Sequence, residues 1–425
     1  MVFVVGLTED SRSSYRKILT NRSTFFLWSG EVVSQSGDYV FAIALPWLVL
    51  LQTGSAFWVS VTTAVAWTPL LLSPIAGVYV DRTNRKTSVI LGNLVQGSAA
   101  VAIALLYAAR DLSLPVLLAL VFVLYFFDQF VSTAIDAILP KLVGSKSDLA
   151  AVNALFSISS STNRIAGYVI GGTVIALIGV EMPILYDGTT FLFAALLTLA
   201  FVSSLYGRIS RPRLEPNNSD THTGGFRAEF AEGARLVRKN KLLVELTVVV
   251  FAVNFFVSGP SALIAPYVAD SLHLGSLGFG ILVGALGAGG VVGSYAFGKL
   301  NVREYVGRLF FAMVLLIGIS LLIIGLIPSF YAAFPLFFVI GLAGVLVNLP
   351  TTTLIQAKVP NEVLGRVLTI LTTLMAAPAP VAAIIAGGLT VSISTQVVFA
   401  YFGLGTVLTV LPFCALFGEL RAAKY

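Results

Sequence analysis

Long apolar runs recur from one end of the chain to the other, broken by short polar stretches. The runs are continuous rather than alternating, which is the pattern of helices and not of barrel strands. A helix needs ~20 largely apolar residues to cross the hydrocarbon of a bilayer. On that measure the pattern predicts spans at 24–52, 57–80, 87–109, 114–139, 150–178 and 183–206. After a polar interval come 242–270, 276–299, 305–327, 330–355, 365–393 and 395–417. The expected architecture is an all-α membrane protein with twelve transmembrane helices. Residues 1–206 form an N-terminal six-helix lobe, 207–241 a linker and 242–425 a C-terminal six-helix lobe.

The linker has two characters. Arg208 to Gly225 is rich in Pro, Asn, Ser, Asp, Thr and Gly, the composition of a flexible tether. From Phe226 to Asn240 the spacing predicts an amphipathic helix, with Phe226, Phe230, Ala234 and Val237 on one face. That helix is expected to lie on the inner leaflet, with Arg235, Arg238 and Lys239 toward anionic headgroups. A solvated tether is the plainer alternative.

Composition agrees with lipid as the solvent. Of 425 residues 57% are hydrophobic and 11% charged, and mean hydropathy is +0.94. A water-soluble chain of this length would need far more charged surface. Charge placement then orients the spans. Of 26 lysines and arginines, all but Arg110 and Arg164 fall on the side of the even-numbered returns, which is also the side of both termini. Cationic loops stay in the cytoplasm, so both termini are expected there. The same distribution excludes a nucleic-acid partner, because the net charge of +6 is spread over short loops and not gathered in a patch. The single cysteine, Cys414, permits no intramolecular disulfide. Residues 8–22 are polar and basic, unlike a cleavable leader, so the first apolar run is expected to serve as its own insertion signal.

Charged residues inside the spans carry the candidate chemistry. Glu31, Asp38, Asp128, Asp136 and Arg164 all lie within first-half spans. Asp38, Asp128 and Arg164 each lie about 21 Å along their helices at ~1.5 Å per residue, close to the midplane. Glu31 is two turns nearer the cytoplasm on the face of Asp38. Asp136 falls near the cytoplasmic end of its span, where an interfacial role suffices. A charge at midplane costs roughly 2.5–3.5 kcal/mol on insertion scales, so these groups must face the bundle interior or a wet cavity. A carboxylate beside Arg164 stays ionised, whereas one left without a cation in a dry site takes up a proton more readily. Asp38 and Asp128 are therefore candidate proton carriers, Arg164 their exchangeable partner and Glu31 a further carboxylate. A static ion pair holding helices in register is the alternative.

The second half is milder. Glu245 and Asp270 lie near span ends, where they can reach headgroups. Asn254, Asn348 and Gln356 sit in apolar spans, where they can bond across helices or line a substrate cavity. The eighth span is glycine-rich, which suits close helix packing. No clustered nucleophile or metal set marks an enzyme, no cofactor is expected, and the two histidines, His222 and His273, fall in loops.

Between the second and third spans stands Gly77-Val-Tyr-Val-Asp81-Arg82-Thr-Asn-Arg85-Lys86. It resembles the G-x-x-x-D-R-x-x-R-K signature of the major facilitator superfamily, with Asn84 where glycine is usual. Ser34-Gln-Ser-Gly37-Asp38, Ala44-Leu-Pro46-Trp47, Ile138-Leu-Pro140, Gln356-Ala-Lys-Val-Pro360 and Gly365-Arg366-Val367 resemble the macrolide-efflux-like drug:proton antiporter branch. Gly167-Tyr-Val-Ile-Gly171-Gly172 is similar to the antiporter motif of the fifth span, with Gly172 in place of its proline. The resemblance implies a cell-membrane secondary transporter working by alternating access between two lobes. It would export a hydrophobic or amphipathic molecule against inward protons and act as a monomer. Gly77, Asp81, Arg82, Arg85 and Lys86 would form its cytoplasmic gate. Metal export of the ferroportin kind, siderophore or lipid export, and a non-transporting sensor remain open alternatives.

Overall fold

The computed structural model describes residues 21–142, 146–201, 235–300 and 302–424. Among them the chain is helical, and the twelve spans appear as α1 (Arg22–Thr53), α2 (Ala56–Trp67 and Ser73–Arg82), α3 (Arg85–Ala108), α4 (Leu114–Leu142), α5 (Lys146–Ile178) and α6 (Glu181–Phe201), then α7 (Lys241–Ser261), α8 (Ser276–Lys299), α9 (Val306–Leu326), α10 (Phe330–Lys358), α11 (Asn361–Ala376 and Pro378–Leu389) and α12 (Thr395–Leu416). Eleven are long and apolar enough to cross a membrane. The twelfth, α5, has 33 residues, but the polar run Ser159–Arg164 dilutes its hydropathy.

Local chemistry explains where the helices start, stop and break. The Asn21 side chain caps α1, accepting from the N–H groups of Ser23 and Thr24 at 3.1 and 3.4 Å. Gly54, at φ +60°, ends that helix in the left-handed region that glycine tolerates. Proline removes a helical donor, and α2 loosens into a 3-10 stretch, Thr68–Leu72, around Pro69. Pro378 likewise begins the second segment of α11. Large apolar side chains such as Leu177, Val391 and Leu416 are largely exposed to the surroundings, which is ordinary in lipid and a liability in water.

By contacts the described residues divide into two compact units, one drawn from 21–45 and 72–201 and the other from 46–71 and 235–424. In the first, α3 packs on α4 and α6, and Leu27, Val80, Val89, Ile135 and Ile138 form a core near the Lys/Arg-rich end. In the second, α8 packs on α10 and α9 on α12. The α8–α10 crossing uses the glycines expected to pack closely: a Cβ on Gly289 or Gly341 would strike the facing backbone of Phe338 or Leu286. The segment Pro46–Leu71 belongs to this second unit. There Trp47 stacks on Phe279 with ring centroids 6.1 Å apart, and Ala64 joins a small core with Ala262 and Ala383.

Two linker-side expectations change. Residues 1–20 and 202–234 lie outside the described residues, and with them the polar N-terminal stretch, the tether 208–225 and most of the amphipathic helix. Its last turn, residues 235–239, is helical. Val237 there packs into the protein core with Leu243, Leu246 and Phe310 instead of facing lipid. The turn leads directly into α7, whose N-cap is Asn240, and so folds back onto it. Glu245 does not reach headgroups either. It is buried and its Oε2 accepts from the backbone N–H of Leu420 at 2.8 Å, strapping the C-terminal turn α13 (Gly418–Arg421) to α7. Glu245→Ala leaves that buried donor unpaired, at a cost of about 1–3 kcal/mol. A lower midpoint of thermal unfolding in detergent is the expected result, with Glu245→Gln milder.

Candidate functional site

The first unit gathers the intramembrane charges. On α1 the amide of Gln35 donates to Glu31 Oε1 at 3.0 Å, so Glu31 is held on the helix face that leads to Asp38. Both carboxylates are half-buried. On α4, Asp128 is also half-buried, and the neighbouring Gln129 amide reaches its Oδ2 at 3.3 Å. Asp136 is exposed near the end of that helix, in keeping with an interfacial place.

A further carboxylate joins them. Asp187 on α6 is 0% exposed, and neither of its carboxylate oxygens has a hydrogen-bond partner. It abuts α1 at Gly37, where an added Cβ would lie 2.7 Å from Oδ1 and 2.9 Å from the Asp187 Cα. Only glycine permits that approach, and Asp38 is the next residue. The sequence pattern does not single out Asp187, because it falls near the outer start of the sixth span, where headgroups account for an acid. Packing sets its true depth: α1 runs on from Asp38 to Thr53 for roughly four turns, while α6 begins less than two turns before Asp187. The available signal was an Asp-Gly pair inside an apolar helix.

Among the described residues Arg164 forms no ion pair with Asp38 or Asp128, and its Nε is buried without a hydrogen-bond partner. Tyr168 meets Tyr39 edge to face at 5.3 Å. The polar run of α5 lies along α1: the Tyr39 hydroxyl meets Ser160 Oγ at 2.9 Å, and the Asn163 amide donates to the Val32 carbonyl at 2.7 Å. The glycines of the fifth-span motif have the same task. A Cβ on Gly167 would lie 2.6 Å from Tyr39 Cβ, and one on Gly171 3.2 Å from Val40 Cα. That motif brings α5 against α1 just beyond Asp38.

At the Lys/Arg-rich end, the loop after α2 is tied down by its cations. Arg85 donates to the Ala137 carbonyl of α4 at 3.0 Å, and Lys86 Nζ to the Leu199 carbonyl of α6 at 3.3 Å. Both satisfy carbonyls near helix C-termini, where positive charge is favoured. Asn84, which stands where the superfamily signature has glycine, caps α3 by accepting from the Lys86 N–H at 3.1 Å. Arg82 is exposed, and an added Cβ on Gly77 would meet nothing within 4 Å. The side chain of Asp81 lies outside the described residues.

The second-half candidates do not converge. Asn254 Nδ2 donates to the Met375 carbonyl at 2.7 Å, tying α7 to α11 beside the α11 break. Asn348 and Gln356 occupy exposed positions on α10. Asp270 lines a polar cavity of about 590 Å³ with Ser55, His273, Pro328, Thr395 and Gln396, residues of the loops remote from the basic ones. Partial burial pushes its carboxyl above the ordinary value, and His273 opposes that shift. Among the described residues no three His, Cys, Asp or Glu side chains form a metal-holding group.

Comparison with known proteins places this geometry. The sequence profile described as Major Facilitator Superfamily matches residues 27–383. The multidrug efflux pump Tap of Mycobacterium tuberculosis (strain ATCC 25618 / H37Rv) is 26% identical over 394 residues, 91% of each chain. The putative bacilysin exporter BacE of Bacillus subtilis (strain 168) is 25% identical over 83% of this chain and 85% of its own. Among solved structures, a POT family transporter superposes with a TM-score of 0.74 at 12% identity, covering 93% of this chain and 96% of that one. A bacterial homologue of the iron transporter ferroportin gives 0.71 at 17%, covering 94% and 98%. At these identities the structures speak for the fold alone.

Proposed function

Since the chain belongs to the Major Facilitator Superfamily, a family of transporters and not of enzymes, we propose that it exports hydrophobic or amphipathic small molecules in exchange for inward-moving protons. It is a multi-pass protein of the cell membrane. Efflux relatives such as Tap and BacE support the direction and the substrate class. The observation that carries the coupling is that Glu31, Asp38, Asp128 and Asp187 lie on membrane-spanning helices of one compact unit and, among the described residues, none of them forms an ion pair.

In this reading Asp38 and Asp128 carry the proton, with Glu31 nearer the cytoplasmic entrance. Protonation removes a negative charge from a site of low dielectric, where each charge weighs heavily. Arg164, uncommitted here, is the cation free to engage whichever carboxylate is ionised. A change in that partnership biases alternating access, in which the halves 1–206 and 242–425 rock about the substrate. Asn254, Asn348 and Gln356 would contribute second-half polarity to the substrate path, and the chain works as a monomer. Asp81, with Gly77, Arg82, Arg85 and Lys86, serves the cytoplasmic gate.

Everted membrane vesicles test the proposal. With an acidic lumen, radiolabelled erythromycin, a macrolide, is expected to accumulate above the level of vesicles lacking the protein, and a proton ionophore is expected to abolish the difference. Accumulation indifferent to the gradient would refute the coupling.

A further inference from the structure

We propose that Asp187 is a proton-binding site that shares a single proton with Asp38, so that the coupling site spans α1 and α6. This deepens the proton-coupled reading above and rests on it for its role in transport. Asp187 and Gln96 of α3 are both 0% exposed. Neither the two carboxylate oxygens of Asp187 nor the two amide atoms of Gln96 has a hydrogen-bond partner. The two residues immediately precede the glycines at which α3 and α6 cross, where a Cβ on Gly97 would lie 2.9 Å from the Gly188 carbonyl oxygen. Thr190, the hydroxyl beside Asp187, gives its proton to the Asp187 backbone carbonyl at 2.7 Å, so it does not donate to the carboxylate.

The groups around Asp187 sharpen the case. From α1 it faces the segment of Gly37 and Asp38, and Asp128 and Tyr125 stand on α4 of the same unit. The α3 side offers neutral Gln96. Arg164 of α5 bonds to none of them. An ionised carboxylate in such a place would have no donor and no counter-ion, a burial that costs several kcal/mol even after relaxation. Asp38 follows the Gly37 that Asp187 abuts, and a second ionised carboxylate there would add repulsion. Holding one proton between Asp38 and Asp187 leaves the pair with one negative charge instead of two, and their titrations then belong to the pair. Uptake places the proton on a carboxylate oxygen of either residue; release returns it to water and leaves both ionised.

Infrared difference spectroscopy of the purified full chain, titrated with pH, reads protonated carboxylic acids through their carbonyl stretch and needs no transport. The expected result is a titrating component that disappears in Asp187→Asn and shifts its midpoint in Asp38→Asn. A wild-type spectrum unchanged by Asp187→Asn, or a midpoint indifferent to Asp38→Asn, would overturn the shared site. Should Asp187→Asn fail to give a monodisperse protein, the Asp38→Asn midpoint decides alone. Repeating the titration with added sodium distinguishes a metal cation: displacement of the band by sodium at constant pH would make this a sodium site and overturn the assignment. Vesicle flux separates the two claims. Proton-driven efflux retained by the wild type and by Asp187→Asn leaves the exporter standing and removes this inference. A titrating pair in a protein whose flux ignores the gradient leaves the pair standing and removes the exporter's coupling.

Discussion

Neutralising Asp38 and Asp128 together, as Asp38→Asn with Asp128→Asn, is expected to reduce proton-driven efflux to the level of vesicles without the protein. Substrate counterflow, which needs no gradient, is expected to survive. The reasoning is electrostatic: asparagine keeps the size and much of the polarity of aspartate but cannot gain or lose the proton. The split between the two assays matters, because a variant that merely damaged the fold would lose both. Each single substitution is expected to lose less than the pair if the other carboxylate still titrates. Unchanged gradient-driven efflux in the double variant would remove both residues from the coupling role.

The second large effect is structural. Gly37→Leu is expected to prevent α1 from seating on α6, because a single Cβ there already meets Asp187 Oδ1 at 2.7 Å and its Cα at 2.9 Å. Overpacking of a close helix crossing costs roughly 1–3 kcal/mol and often more where backbone blocks the way. A strongly lowered thermal midpoint in detergent, or loss of monodisperse protein, is the outcome to look for. Gly77→Leu makes the control: its Cβ direction is open, so the fold is expected to tolerate it, and any loss of transport there reports on the gate rather than on packing.

How much of this was legible in the sequence depended on what each feature rests on. The spans rest on continuous hydropathy, a local property, and 276–299 coincides with Ser276–Lys299 while most others fall within a few residues. The seventh and eleventh differ for local reasons too, since the chain leaves regular helix after Ser261 and again at Ala377 before Pro378. The fifth span was readable by its length even though its polar run lowers its hydropathy; that run is spent on α1. Burial depth is a tertiary property. Counting residues placed Asp38, Asp128 and Arg164 at one level but passed over Asp187, whose position depends on how far α6 sits below the outer end of α1. Pairing is tertiary as well: Arg164 and the carboxylates are not bonded here, and nothing in their spacing decides that. Glu245 teaches the same point at a span end, where a headgroup explanation was available and a buried backbone N–H from the C-terminal turn took the carboxylate instead. Asn84 shows the converse, a departure from the superfamily signature whose purpose is local capping.

In the exchange proposed for this protein, substrate leaves against protons entering. Everted vesicles carrying the wild-type protein, given an acidic lumen and radiolabelled erythromycin, test it most directly when lumenal pH and erythromycin are followed together. Erythromycin accumulation accompanied by proton loss from the lumen, both stopped by an ionophore, is the expected result. Erythromycin accumulation with no proton movement, at any imposed gradient, would contradict it.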